Sequence, residues 1–205
     1  MKKSIYKYLL PVGIAVAVLL VLGLIIYYGS PKAAPEVTQK TTPVGQTAGQ
    51  IQQPITKISM KLTSPAFNDG DKIPAMYTCD AEDISPPLMI TDAPADAKSL
   101  ALIVDDPDAP VGDWVHWLVW NIKPETAEIA EKSVPMGATQ GTTDFGKPGW
   151  GGPCPPSGVH HYQFKLYALD SMLDLPASAK KADLEKAMGS HTLDSTLLVG
   201  LYQKK

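Results

Sequence analysis

The sequence contains no arginine. All 18 of its basic residues are lysines, in a chain of 205 residues. The planar guanidinium group, which binds phosphates and carboxylates through two parallel hydrogen bonds, is therefore absent. Any anion site in this protein must use histidine, tyrosine, lysine or backbone N–H groups.

Positive charge is also scarce over most of the chain. From Lys57 onward there are 13 lysines against 20 acidic residues, a net charge of −7. Nucleic-acid binding requires a basic surface, so we exclude it for this acidic region. The 44% content of hydrophobic residues is typical of a globular domain with a packed core.

One run of 20 residues, Leu9–Tyr28, carries no charge. As a helix it would be about 30 Å long, which matches the hydrocarbon core of a bilayer. Three lysines precede it and place residues 1–8 in the cytoplasm by the positive-inside rule. The run predicts a single-pass transmembrane anchor over residues 9–28, with the remainder extracytoplasmic. The alternative is a cleaved signal peptide and a secreted domain.

Residues 29–55 are rich in Pro, Thr, Gln and Ala and predict a flexible linker. In the domain that follows, residues 56–205, apolar runs and turn residues indicate a mainly β fold. The clearest predicted strands cover residues 98–105, 115–122, 160–169 and 196–202. One helix is predicted, with Ser178 as its N-cap and Gly189 ending it in the left-handed conformation. The expected architecture is an antiparallel β-sandwich with this C-terminal helix packed against it.

Three titratable residues, Asp106, His116 and His160, fall near the ends of predicted strands. Side chains alternate between the faces of a strand, and each of the three shares its face with apolar residues. These apolar residues are Leu100, Leu102 and Val104 for Asp106; Leu118, Trp120 and Ile122 for His116; and Tyr162, Phe164 and Leu166 for His160. A histidine taken singly is more often a hydrogen-bonded core residue. Three such groups at strand ends predict a pocket at one end of the sandwich.

Two segments carry a more specific pattern. The first reads Asp-Asp-Pro-Asp-Ala-Pro over residues 105–110, followed by Trp-Val-His-Trp over residues 114–117. The second is a Gly/Pro-rich stretch over residues 146–158, followed by His-His-Tyr at positions 160–162. Over about residues 58–203 the sequence resembles the phosphatidylethanolamine-binding protein family, in its bacterial Raf kinase inhibitor-like branch. His161 stands where the family often has arginine, and alternation predicts that its side chain is solvated.

The resemblance implies a Greek-key β-sandwich with a small anion-binding pocket at one end. The residues that would build this pocket are Asp106, Asp108, His116, the backbone of Gly152 and Pro153, His160 and Tyr162. It implies a binding protein, not an enzyme, that uses no cofactor or metal and takes a small anion or a phospholipid head group. It also implies regulation of a kinase or protease, and an extracytoplasmic location favours a protease or an envelope lipid as the partner.

The chemistry of such a pocket is coherent. Two imidazoles beside carboxylates are expected to have raised pKa values and to donate hydrogen bonds to phosphate oxygens. Tyr162 adds a hydroxyl donor, and Trp114 or Trp117 could contact an ammonium group. The prolines stiffen the walls, and Ala109–Pro110 is a candidate for a cis peptide bond.

The same residues leave two enzyme interpretations open. Two histidines and a carboxylate could ligate a metal, although their spacing matches no helix-borne motif. Ser157 beside His160 could serve as the nucleophile of a hydrolase, although its segment is not a nucleophile elbow. A metal-dependent or hydrolytic enzyme is therefore kept as the alternative function.

Cys79 and Cys154 are the only cysteines of the chain. In an exported domain they can form a disulfide, and if reduced they would act as two small apolar side chains. Both lie in loops that the predicted pocket would bring to one side of the molecule. The sequence favours neither state.

Overall fold

The computed structural model describes residues 59–205, which form two antiparallel β-sheets and one α-helix. The elements, in chain order, are β1 (Lys61–Thr63), a 3-10 helix (Ala75–Tyr77), β2 (Leu88–Thr91), β3 (Ser99–Asp106), β4 (Trp114–Ile122), β5 (Glu128–Ile129), β6 (Thr139–Gln140), β7 (His160–Leu169), α1 (Lys181–Met188) and β8 (Thr192–Tyr202). The prediction of a mainly β domain with a C-terminal helix is confirmed. The anchor and linker predicted over residues 9–55 lie outside the described residues. Within residues 59–205, no helix is both long and apolar enough to cross a bilayer.

The larger sheet has the strand order β6-β4-β3-β7-β8, and the smaller has β1-β2-β5. In the larger sheet β3, β4 and β6 lie side by side, and β7 returns to the opposite side of β3. This is the order of a Greek key, with the difference that the intervening β5 pairs in the smaller sheet. The strand β3 is consequently central, with an antiparallel neighbour on each side.

The two sheets enclose a shared hydrophobic core. On β7, the side chains of Tyr162, Phe164, Leu166 and Ala168 are buried, while most of those between them are partly exposed. The alternation predicted for β7 is therefore confirmed. All eight residues of β3 are buried, because the outer face of the larger sheet is covered as well.

The helix α1 covers part of that outer face. Its buried residues Leu184 and Met188 belong to a second apolar cluster, together with Ile103, Leu118 and Trp120 of the larger sheet. Burying apolar side chains on both faces of the sheet stabilises the fold by the hydrophobic effect. The predicted packing of the helix against the sandwich is confirmed.

The helix ends at Gly189 as predicted, but its predicted start and the conformation predicted for Gly189 are wrong. Ser178 lies in a turn whose last residue, Ala179, is buried against the sheet, so that the helix begins only at Lys181. The side chain of Asp183 accepts the N–H of the residue before the helix, at 3.0 Å. Gly189 follows the helix with φ of −49°, a right-handed and not a left-handed conformation.

A disulfide joins Cys79 and Cys154. The sequence alone favoured neither the bridged nor the reduced state of these two cysteines. Cys79 follows the 3-10 helix, and Cys154 lies in the loop between β6 and β7. The N–H of Cys79 also donates to the carbonyl of Pro153 at 3.1 Å, and that of Gly152 to Oδ1 of Asp83 at 2.7 Å. The β6–β7 loop is thereby fixed to residues 79–83 at three points.

Replacing both cysteines by serine is expected to lower the free energy of unfolding by about 4 kcal/mol, because the unfolded chain regains the entropy lost on closing a long loop. The two cysteines are 75 residues apart in sequence. Chemical denaturation of the Cys79→Ser/Cys154→Ser variant beside the oxidised protein measures the loss. Wild-type protein kept under reductant should lose a similar amount. A loss below about 1 kcal/mol would contradict a stabilising role for the bridge.

Candidate functional site

A cavity of about 190 Å³ opens at one end of the sandwich. The end of β3 and the starts of β4 and β7 supply its polar side chains, and the loops supply prolines and an aromatic ring. Its main lining residues are Asp106, Trp114, His116, Phe145, His160 and Tyr162. Pockets for drug-sized ligands enclose roughly 300–1,000 Å³, so this cavity suits a small ligand or one end of a larger one.

The strand pairing explains why these residues meet. Because β4 and β7 both run antiparallel to β3, the end of β3 lies beside the first residues of both neighbours. Asp106 is opposite Trp114 at the start of β4, and Asp105 is opposite Gln163 near the start of β7. The structure thus brings the three titratable residues of the sequence pattern into one cavity.

His116 reaches the cavity through a β-bulge. Between β3 and β4, Val104 pairs with Trp117, but the next residue, Asp105, pairs with Val115. His116 is therefore an extra residue in the ladder of β4, and a bulge of this kind redirects a side chain. Bulges are frequent next to functional sites for this reason.

The common face predicted for His116, Leu118, Trp120 and Ile122 is wrong. Leu118 and Trp120 pack on the outer face with α1, whereas Ile122 lies in the core between the sheets. The bulge at His116 and a second irregularity before Ile122 each invert the alternation of β4. A rule that counts in steps of two fails across an inserted residue.

Asp106 and His160 form a buried pair. The imidazole Nδ1 lies 2.7 Å from the carboxylate Oδ2, and the two side chains are only 8% and 5% exposed. The other oxygen, Oδ1, accepts the N–H of Asp108 at 2.9 Å. An ionised carboxylate only accepts hydrogen bonds, so Nδ1 carries the hydrogen and Nε2 is left for the cavity.

The backbone of Gly151 fixes His116. The imidazole Nδ1 donates to the Gly151 carbonyl at 2.5 Å, and the Gly151 N–H donates to the carbonyl of His116 at 3.1 Å. Burial lowers the pKa of His116 and outweighs the Gly151 carbonyl and nearby carboxylates, which act in the opposite direction. The raised pKa expected for this histidine is therefore wrong, because the buried ring loses more hydration than its neighbours replace.

Tyr162 lies beside both imidazoles, with its ring centre 5.1 Å from that of His116 and 6.5 Å from that of His160. Its hydroxyl is buried and makes no hydrogen bond of normal geometry among residues 59–205, although it lies near the Asp106 carboxylate. Burial raises the pKa of Tyr162, and the Asp106 carboxylate raises it further, so the phenol keeps its proton. A buried donor without a partner is costly, and an acceptor on a ligand would relieve that cost.

Asp108 lies at the rim and does not line the cavity. Its Oδ2 accepts the backbone N–H of His161 at 2.8 Å and lies 2.7 Å from Nδ1 of the same residue. These bonds lower the pKa of the Asp108 carboxyl group. The side chain of His161 is 55% exposed, in agreement with the prediction that it is solvated. The pair links the β3–β4 loop to β7 at the surface.

Gly152 and Pro153 lie behind the cavity wall. A Cβ atom on Gly152 would be 2.3 Å from Oδ1 of Asp83, so no larger residue fits there without a shift. Neither residue lines the cavity, but the three that follow, residues 154–156, do. The sequence analysis therefore identified the correct loop, but the residues that line the cavity come after the two that were predicted.

Two contributors to the site were missed in the sequence. Phe145 packs edge-on against Trp114 and His116, with ring centres 5.6 Å and 5.5 Å apart. Gly151 orients His116 through its carbonyl. Both lie in the irregular β6–β7 loop, where no periodicity gives a signal. Trp117, expected as a possible ammonium contact, is instead buried in the core between the sheets.

The remaining expectations concern metals, nucleophiles and proline geometry. Within the described part of the chain, no group of three or more His, Cys, Asp or Glu side chains is arranged to hold a metal ion. Ser157 does not line the cavity. The Ala109–Pro110 bond is trans, since residues 59–205 contain no cis peptide bond.

The chain matches the family model described as phosphatidylethanolamine-binding protein over residues 63–203. It is 51% identical over 150 residues to a UPF0098 protein of Methanothermobacter thermautotrophicus, covering 71% of this chain and 99% of that protein. With a UPF0098 protein of Pyrococcus horikoshii it shares 48% over 157 residues, covering 73% of this chain and 79% of that protein.

Two solved structures have the same fold as the β-sandwich domain of this chain. One is a phosphatidylethanolamine-binding protein homologue from Chlamydia trachomatis, with a TM-score of 0.70 and 42% identity, covering 72% of this chain and 99% of that one. The other is E. coli YbcL, with a TM-score of 0.68 and 30% identity, covering 72% of this chain and all of that one (100%). The resemblance drawn from the sequence motifs is confirmed by these matches.

His116 is expected to titrate below the usual histidine pKa of about 6.5, because burial disfavours the imidazolium form. The unfolded chain then binds this proton at a higher pH than the folded protein does. Stability should therefore fall as the pH drops below about 6.5. An NMR titration of the imidazole C–H resonances measures the midpoint, and denaturation at several pH values measures the stability. The fall should be smaller in His116→Gln, and a midpoint above 6.5 would contradict the prediction.

Proposed function

The chain belongs to the phosphatidylethanolamine-binding protein family, and on that premise we propose that it is a binding protein for a small phosphate-bearing ligand. The ligand would enter the cavity at the end of the sandwich with its phosphate toward the two imidazoles. Phosphoethanolamine, free or as the head group of a phospholipid, has this chemistry.

The observation that carries the proposal is a set of unused polar atoms around one cavity. The hydroxyl of Tyr162, near the Asp106 carboxylate, makes no hydrogen bond of normal geometry among the described residues, and bonds at Nδ1 leave the Nε2 atoms of His116 and His160 available. Buried polar groups in proteins normally have partners. A phosphate monoester has several oxygens that accept and, near its second pKa, an O–H that donates, so it can bond to the Tyr162 hydroxyl and to an imidazole nitrogen at once.

The charges around the cavity favour modest affinity. The Asp106 carboxylate is paired with His160, and none of the residues that line the cavity is a lysine. A ligand that carries a cation as well as a phosphate suits this balance better than a simple anion. Trp114 and Phe145 offer aromatic rings to an ammonium group at the mouth, and Val111, which is 78% exposed, extends the apolar rim.

We also propose that the domain lies outside the cytoplasmic membrane and is held there by the apolar run Leu9–Tyr28. The disulfide supports this location, because disulfides persist mainly in oxidising compartments. A phospholipid head group would then be within reach of a tethered cavity. Regulation of a protease stays a prediction from the family resemblance.

The buried pair of Asp106 and His160 favours a second candidate function. A carboxylate that orients an imidazole also occurs in hydrolases, where Nε2 acts as a general base. A nucleophile or an activated water would still be needed beside Nε2. Turnover of phosphoester or carboxylester substrates that is abolished by His160→Gln would favour this candidate over binding alone.

Tyr162→Phe is expected to weaken the binding of O-phosphoethanolamine by about 5- to 10-fold, since one hydrogen bond to the ligand is lost. The variant should be at least as stable as the wild type, because the hydroxyl makes no hydrogen bond of normal geometry among the described residues. An NMR titration of the full-length chain measures the affinity, and chemical denaturation measures the stability.

Tyr167→Phe is the matched control, since this tyrosine packs with the outer apolar cluster and does not line the cavity. It should leave the affinity unchanged. Equal affinity of Tyr162→Phe and wild type would contradict the proposed contact. Silence of the His116, His160 and Tyr162 resonances up to tens of millimolar ligand would contradict the proposed function.

The full-length chain is expected to remain with the membrane fraction after salt and alkaline washes, because about 20 apolar residues suffice to span a bilayer. Protease added outside intact cells should digest the domain. Sequencing of the N-terminus distinguishes an anchor from a cleaved signal. A domain found in the soluble cytoplasmic fraction, protected from the protease, would contradict both forms of export.

A further inference from the structure

His116 presents a hydrogen-bond acceptor to the cavity. Its Nδ1 must carry the hydrogen, because the Gly151 carbonyl 2.5 Å away can only accept. The edge-on rings of Tyr162 and Phe145, with centres 5.1 Å and 5.5 Å away, hold the imidazole in this orientation. In the neutral ring, Nε2 carries a lone pair and no hydrogen, so it accepts a hydrogen bond and cannot donate one.

The surroundings of His116 keep the ring neutral near pH 7. Burial lowers its pKa, and the hydrogen bond to Gly151 and three carboxylates only partly oppose this effect. The ionisable groups that face it are the carboxylates of Asp106, Asp105 and Asp83, the His160 imidazole paired with Asp106, and the phenol of Tyr162, which stays protonated. Neither lysine nor arginine lines the cavity.

The cavity therefore combines a donor with an acceptor. Tyr162 supplies an O–H near the Asp106 carboxylate, whose two oxygens already accept from His160 and from the N–H of Asp108. A ligand that has only acceptor oxygens would satisfy Tyr162 but would set an oxygen lone pair against Nε2 of His116. A ligand that has both an acceptor oxygen and an O–H would satisfy both residues.

We propose that His116 makes the cavity specific for a phosphate monoester in its monoprotonated form, with the P–OH donating to Nε2 of His116, and that the cavity discriminates against the isosteric sulfate ester. This inference rests on the proposed function of the same cavity. A phosphate monoester has its second pKa near about 6, so a protonated form is accessible at neutral pH. A sulfate monoester has the same tetrahedral shape but no such proton. The phosphodiester of a phospholipid head group also lacks it, so of the two sources named above this inference selects the free phosphate monoester.

The test compares O-phosphoethanolamine with ethanolamine O-sulfate. In its monoprotonated form the phosphate carries the same charge as the sulfate, and the two zwitterions then differ only at the central atom and its proton. NMR titrations of the full-length chain at pH 6.5, where about a quarter of the phosphate ester carries the proton, are expected to give at least 10-fold weaker binding of the sulfate, because the Nε2 acceptor is left unpaired. The affinity for the phosphate should rise as the pH is lowered from 8 to about 6.5, where more of the ligand carries the proton. Equal affinities at pH 6.5 would overturn the proposal.

His116→Asn is the informative variant. Its side-chain amide can still donate to the Gly151 carbonyl, but it has no atom in place of Nε2. The preference for phosphate over sulfate should shrink to less than about 3-fold, since the unpaired acceptor has been removed. His191→Asn is the matched control, because His191 is paired with Asp170 at the surface and does not line the cavity. It should keep the full preference.

A readout without substitution covers the case in which His116→Asn does not fold. Imidazole ¹⁵N resonances of the wild type should show His116 as the neutral Nδ1–H form, both before and after O-phosphoethanolamine is added. Conversion of His116 to imidazolium on binding would overturn the proposal.

The outcomes also separate this inference from the proposed function. If neither zwitterion binds, the proposed function fails. If both bind equally well, the cavity is a binding site but His116 does not select the protonated ligand.

Discussion

The central strand β3 is buried on both faces, and it ends in two adjacent carboxylates, Asp105 and Asp106. Alternation sends these side chains to opposite faces of the larger sheet. A buried carboxylate is costly unless a partner compensates it, and each meets one. Asp106 pairs with His160 at the cavity, while Asp105 accepts from Lys165 and Lys181 on the outer face, at 2.8 Å and 2.6 Å. The end of one strand thus organises both sides of the sheet.

The two sides are also connected through the β3–β4 loop. Lys181 is the first residue of α1, and it bonds to Asp113 as well as to Asp105. Asp113 directly precedes Trp114, which lines the cavity. The start of the helix, the end of β3 and the mouth of the cavity are therefore fixed by one group of charges. Removing Lys181 would leave a fully buried carboxylate with a single cation and would loosen the loop that carries the aromatic rim.

Sequence reasoning succeeded where the chain is regular. Strict alternation on β3 and β7 placed Asp106 and His160 on the core face, and the motif order identified the family. It failed on β4, because an inserted residue that carries no sequence signature reverses the face of everything after it. It also could not give the pKa of His116, since the balance between lost hydration and nearby carboxylates depends on how completely the ring is buried. Pairing of the cysteines likewise depends on distances that only the fold supplies.

In the proposed function, a cavity without arginine would recognise a phosphate on a different physical basis. An arginine contributes a fixed positive charge and a fork of donors, so such a site rewards negative charge on the ligand. The atoms available here are a phenol O–H, a neutral imidazole and an imidazole already paired with a carboxylate. Their combined charge is small, so the pattern of hydrogens on the ligand matters more than its total charge. Hydrogen bonds in a buried site are screened by salt far less than exposed ionic contacts are. A site of this kind would give up long-range attraction for anions and gain the ability to distinguish ligands of the same shape by the position of one proton.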